Sequence, residues 1–147
     1  MPDQAANFGH FAGTAFFRKT YDEAIALLVE TKNYVTAAQR PSSKDDEIAV
    51  NLETTRVTAR LTQIVAWLMA QRAVEAGELT TAQACEKKHR LGGQEICLNA
   101  QGEDSDKLPP ALCDLLVRSR RLYQRVARLD DMLARDATRE QPPQSPN

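Results

Sequence analysis

Apolar residues recur along this chain at alternating steps of three and four, the spacing of one helix face, in three long segments. The first runs from about Thr14 to Ala38 and places Phe17, Tyr21, Ala24, Leu28, Thr31 and Val35 on one side. Arg40-Pro41-Ser42-Ser43 ends it, because the residue before a proline is pushed out of the α region. The second segment, Asp46 to Ala76, is apolar on two sides. One stripe is Val50, Thr54, Val57, Leu61, Ile64 and Leu68; the other, nearly opposite, is Leu52, Ala59, Ala66, Trp67, Ala70 and Val74, with Arg56 and Gln63 set into it. A helix of this kind is covered on both sides, either as the central helix of a bundle or as one shared with a partner. Its threonines at 54, 55, 58 and 62 each cost about 0.5 kcal/mol against alanine, so packing rather than propensity must hold it. Gly77 is placed to end it with a positive φ.

Thr80 then caps a short helix reaching about Arg90, and Gly92-Gly93 stops it. From Gly92 to Lys107 the chain is polar and acidic (Glu103, Asp104, Asp106), which predicts a mobile connection. The third long helix starts near Pro109-Pro110, and Leu112, Leu115, Ser119, Leu122, Val126, Leu129 and Leu133 form its seam. Asp136 to Asn147 carries three prolines and almost nothing apolar, the composition of a disordered tail. With no alternating strand pattern between turn residues, the expectation is an all-α fold. It is a three-helix bundle with a short extra helix, one domain over residues 1–135 and a disordered tail over 136–147.

Composition narrows the function. A chain of 147 residues is one domain and buries roughly two-thirds of its unfolded surface, so it needs neither disulfides nor metal to fold. A net charge of −1 gives no global pull toward nucleic acid or an anionic membrane. The first residues lack the basic and apolar regions of a signal peptide, and no apolar run approaches the roughly 20 residues that span a bilayer. Cys85, Cys97 and Cys113 are an odd number, which reads as reduced thiols in a cytoplasmic protein.

Reactive constellations are sparse. Cys85 and His89 share a helix face and Cys97 follows, but a structural zinc site wants a second close pair, so ordinary helix residues are the favoured reading. No nucleophile elbow, phosphate loop or dinucleotide glycine pattern is present. Asp45-Asp46 and Asp130-Asp131 read as helix starts or exposed positions. The strongest lead is basic: Arg118, Arg121, Arg125 and Arg128 lie along one flank of the third helix, with Arg120 among them. They form either a ridge that docks on acidic protein or phosphates, or a solvated edge whose stems cover the core. In the second helix Arg56 predicts a carboxylate or carbonyl beside it, unless its face, with Trp67, is an interaction surface.

At these residues the sequence resembles a known family. Thr54-Thr55-Arg56, Arg60, Gln63, Trp67-Leu68, Arg72-Ala73-Val74 and Gly77-Glu78-Leu79-Thr80 are similar to the regulator of CtrA degradation (RcdA) family of alphaproteobacteria. So are Leu108-Pro109, Arg118-Ser119 and Arg128-Leu129-Asp130. The likeness spans roughly residues 50 to 134 and is most specific from Arg56 to Thr80. It implies a homodimeric three-helix bundle without enzymatic activity or cofactor. It further implies an adaptor that joins a response regulator on the ClpXP protease and tethers cell-cycle substrates there. The motif positions expected at partner surfaces are Arg56, Arg60, Gln63, Trp67, Arg72, Glu78, Arg118, Arg121, Arg125 and Arg128. A helical nucleic-acid-associated regulator using the Arg118–Arg128 flank is the alternative.

Overall fold

A computed structural model describes residues 11–37, 41, 43–103 and 105–140. The helices are α1 (Ala15–Ala37), α2 (Lys44–Glu75), α3 (Thr81–Ala84), α4 (Gln94–Cys97) and α5 (Pro110–Glu140), with a 3-10 turn at Lys87–His89. The described residues contain no strand, and α1, α2 and α5 form the three-helix bundle that the periodicity predicts.

Local chemistry sets the helix ends. Ser43 accepts a hydrogen bond from the Asp46 amide at 3.2 Å, and Asp45, Asp46 and Glu47 place negative charge on the first turn of α2. Gly77 follows its C-cap with φ 77°. Thr80 and Gln83 form a reciprocal capping box at α3. Helix α5 continues through residues 136–140, which were expected in the tail. Those residues, Asp136 to Glu140, contain neither proline nor glycine and so are compatible with a helix. The remainder of the expected tail, 141–147, lies outside the described residues.

Val57, Leu61, Ile64 and Leu68 of α2 are buried against Leu112, Leu115, Leu116, Leu122 and Val126 of α5 and Phe17, Ala24 and Leu27 of α1. The buried face of α1 is turned slightly from the expected stripe. Thr20 and Leu27 point inward, Tyr21 and Leu28 are half-buried, and Val35 is exposed. Threonine is tolerated inside because Thr20 and Thr31 donate to the carbonyls of Phe16 and Leu27 in their own helix.

The polar connection between α2 and α5 holds the short helix α4 and is anchored at both ends. It crosses α2 as a packed strap, with Leu91, Cys97 and Leu108 buried. Its composition is misleading because a few apolar anchors suffice once side chains of α2 and α5 take up its backbone groups. No helix among the described residues is long and apolar enough to cross a membrane.

Candidate functional site

Arg56, Arg60, Gln63 and Trp67 follow at i, i+4, i+7 and i+11, so they form one line along α2, the line facing the strap. Arg56 donates to the Gln101 carbonyl at 3.0 Å and lies 3.5 Å from the buried carboxylate of Glu53. Arg60 is 0 % exposed and donates to the carbonyls of Cys97 (2.7 Å), Asn99 (2.6 Å) and Leu116 (2.8 Å), and to Ser119 Oγ (3.2 Å). Burial pulls its pKa down from the usual arginine range, while the Glu103 carboxylate pushes back. Gln63 accepts from the Gly92 amide at 3.3 Å, and Tyr123 of α5 donates to the Gly92 carbonyl at 2.6 Å. Arg120 pairs with Glu103 at the far end of the strap.

Trp67 finishes the line. Its indole Nε1 donates to Asp130 at 2.9 Å, while the other oxygen of that carboxylate takes Arg90 Nε at 2.7 Å and the Leu91 amide at 3.4 Å. Phe11 packs 5.8 Å from the indole ring. Asp130 is 3 % exposed, which corrects its assignment to an exposed pair; only Asp131 is outside, held by Arg90 at 2.9 Å. Sequence reasoning missed Asp130 as an anchor. The available signal was an acid four residues after Val126 and three before Leu133, inside an apolar seam.

Four of the expected surface residues, Arg56, Arg60, Gln63 and Trp67, thus face inward as a latch that binds the strap to the bundle. Arg60 and Trp67 present almost nothing outside, because each is fully engaged with backbone or carboxylate. Arg72 and Glu78 are exposed, and Arg72 lines an open cleft of ≈ 380 Å³ with Arg18, Tyr21 and Glu75. The arginine flank divides. Arg118 is bound to Glu30 at 2.8 Å and Asp114 at 3.0 Å, and Arg125 to Glu23 at 2.6 Å, so these two zip α5 to α1. That pairing removes two cations from any ridge for phosphates. Arg121 and Arg128 are exposed without an ion pair among the described residues.

The thiols belong to the packing. Burial pushes the pKa of Cys85 and Cys97 up, with Arg90 and Arg60 respectively opposing it, which leaves little thiolate near neutrality. Among the described residues no group of three or more His, Cys, Asp or Glu is placed to hold a metal ion.

A bundle whose central helix latches a strap through a polar line defines the class, and the comparisons with known proteins agree on the family. Residues 8–147 match a family described as Protein of unknown function (DUF1465). The crystal structure of RcdA from Caulobacter crescentus CB15 is similar, with a TM-score of 0.65 and 33% sequence identity, over 85% of this chain and 96% of that chain. The chain therefore belongs to the DUF1465 family and to the family of RcdA. No curated protein matches it in sequence.

Proposed function

We propose that this protein is a non-enzymatic, cytoplasmic adaptor in the regulated proteolysis of cell-cycle regulators. It tethers substrates to the ClpXP protease together with a response regulator. The observation that carries the reading is the similarity to RcdA over nearly the full length of both chains. The geometry suits it: Arg56, Arg60, Gln63 and Trp67 of α2 are consumed in holding the strap, and what remains for function is the outer surface. An adaptor needs no chemistry, since raising the local concentration of cargo near a protease is sufficient. The residues proposed to meet partners are the exposed motif positions Arg72, Glu78, Arg121 and Arg128. Arg118 and Arg125 act by fixing the α5 edge, and the latch residues by fixing the strap.

The homodimer is part of the proposal, and its seam is assigned to the outer face of α2. Between Ile48 and Met69 every exposed residue of this helix is uncharged: Ile48, Asn51, Leu52, Thr55, Thr58, Thr62, Ala66 and Met69. Thr55, Thr58 and Thr62 turn their hydroxyls back onto carbonyls four residues earlier, at 2.8–2.9 Å, and so offer methyl groups outward. Such a face lets a second helix approach closely.

The test is a reconstituted degradation reaction containing ClpXP, the response regulator and a tagged cell-cycle substrate from the same organism. Addition of this chain is expected to accelerate substrate loss in a saturable way. An unchanged rate at every concentration of the chain would remove the adaptor reading.

A further inference from the structure

Arg121, Arg128 and Arg135 succeed one another at seven-residue steps on α5, and all three are exposed. None has an ion pair among the described residues, whereas Arg120 and Arg125 each have one and Arg90 and Arg118 two. At the rise of an α-helix the guanidinium groups stand about 10.5 Å apart along a line of about 21 Å. A shallow trough runs beside Arg128 and Arg135, with Arg121 one step beyond its end. Its first stretch, ≈ 480 Å³, lies between the strap and α5 and includes Leu98, Ala127 and Arg128. Its second, ≈ 300 Å³, includes Arg90, Ala134 and Arg135, and Asp131 lines both. The Asp131 carboxylate is already bound by Arg90, so the trough keeps a basic edge. Apolar surface accompanies the cations: Leu98 is 37%, Met132 45% and Ile96 62% exposed.

We infer that this trough docks an acidic amphipathic helix of a partner protein, its carboxylates at heptad spacing meeting Arg121, Arg128 and Arg135 and its apolar side meeting Leu98 and Ala127. The inference rests on the adaptor reading and gives the partner its chemistry. Two helices lying side by side match seven-residue steps with seven-residue steps, because each returns to the same side after two turns. Nucleic acid fits the same edge poorly. Duplex DNA offers a charge about every 1.7 Å of its axis, far denser than one guanidinium in about 10.5 Å, and it has no use for an exposed leucine. Exposed ion pairs are individually weak and screened by salt, which suits a cargo or partner that must be released.

The experiment is fluorescence anisotropy on the full chain with three labelled probes. One is a synthetic helix of about 21 residues carrying glutamates at heptad positions beside a leucine face; the second has the same composition with the glutamates displaced around the helix; the third is a duplex DNA. The heptad peptide is expected to bind, and the triple variant R121E/R128E/R135E to weaken it by roughly tenfold or more. Because all three side chains are exposed, the variant should keep its circular dichroism spectrum, and a peptide with lysines at the heptad positions should recover binding to it. Equal binding of the displaced-glutamate peptide, tighter binding of DNA, or indifference to the triple variant would each overturn the proposal. Heptad-selective binding by a chain that leaves ClpXP degradation unchanged would support the trough and remove the adaptor reading. Accelerated degradation by both wild type and triple variant, without peptide binding, would do the reverse.

Discussion

Arg60 carries a full charge into the bundle, and among the described residues its hydrogen bonds go to three carbonyls and a hydroxyl rather than to a carboxylate. A planar fork with several donors can serve such a spread of acceptors; an ammonium at the end of a flexible stem cannot. Arg60→Lys is therefore expected to lose about 2–4 kcal/mol in urea unfolding, since a buried carbonyl left unpaired costs about 1–3 kcal/mol. Hydrogen exchange should rise across residues 91–103 in particular. The sequence showed Arg56 set into an apolar side of α2 and required a partner for it, which Glu53 and the Gln101 carbonyl supply. It did not show that Arg60 is the deeper of the two. That depends on where the strap crosses, and the strap has no periodicity to read. Tyr123 is a second buried group with a consequence in solution. Burial, reinforced by Cys97, raises its pKa above the ordinary 10.0. The folded state thus keeps the phenol protonated at pH values where the unfolded chain ionises. Its contribution is complete below pH about 10 and is lost as pH rises beyond it. Melting temperature should fall steeply on the alkaline side, and Tyr123→Phe should flatten that fall while costing about 1 kcal/mol at neutral pH through loss of the bond to Gly92.

The strap and the long helices differ in how they are specified. Helix α5 is legible because its seam repeats every three or four residues: Leu112, Leu115, Ser119, Leu122, Val126 and Leu133 are buried as expected, and Leu129 is half-buried. Helix α1 was legible in extent but not in rotation, because two neighbouring stripes of similar character differ only by which one meets α2 and α5. The packing of the strap is not legible in its own composition because it comes from side chains of other elements. Two glycines distinguish the cases experimentally. At Gly77, φ is 77° and an added Cβ would meet nothing within 4 Å, so Gly77→Ala pays only conformational strain, about 1 kcal/mol. At Gly102, φ is 90° and the added carbon would lie 3.0 Å from Glu53 Cδ, so strain is joined by displacement of a buried carboxylate. Gly102→Ala is expected to cost clearly more than Gly77→Ala, roughly 2–3 kcal/mol in thermal or chemical unfolding, with the loss centred on the strap.

As a whole, the molecule wraps its central helix unequally. One arc of α2 faces the core, a second faces the strap, and the third, from Ile48 to Met69, is left uncharged at the surface. The two-sided apolar character seen in the sequence had merged the second and third arcs, which is why Trp67 and Ala66 were placed on one face although Trp67 is buried and Ala66 exposed. Ala66→Glu should accordingly leave the bundle folded, and light scattering is expected to show the proposed dimer of the wild type and a monomer of the variant; equal masses for the two would move the seam off α2. Trp67 offers a way to watch the latch itself. It is the sole tryptophan of the chain, and its indole shares the Asp130 carboxylate with Arg90 and the Leu91 amide. Emission excited near the indole band is thus a native optical reporter of strap release. A partner that lifts the strap should shift that emission to the red and increase quenching by iodide, with no label attached. A partner that binds elsewhere should leave the spectrum where it was.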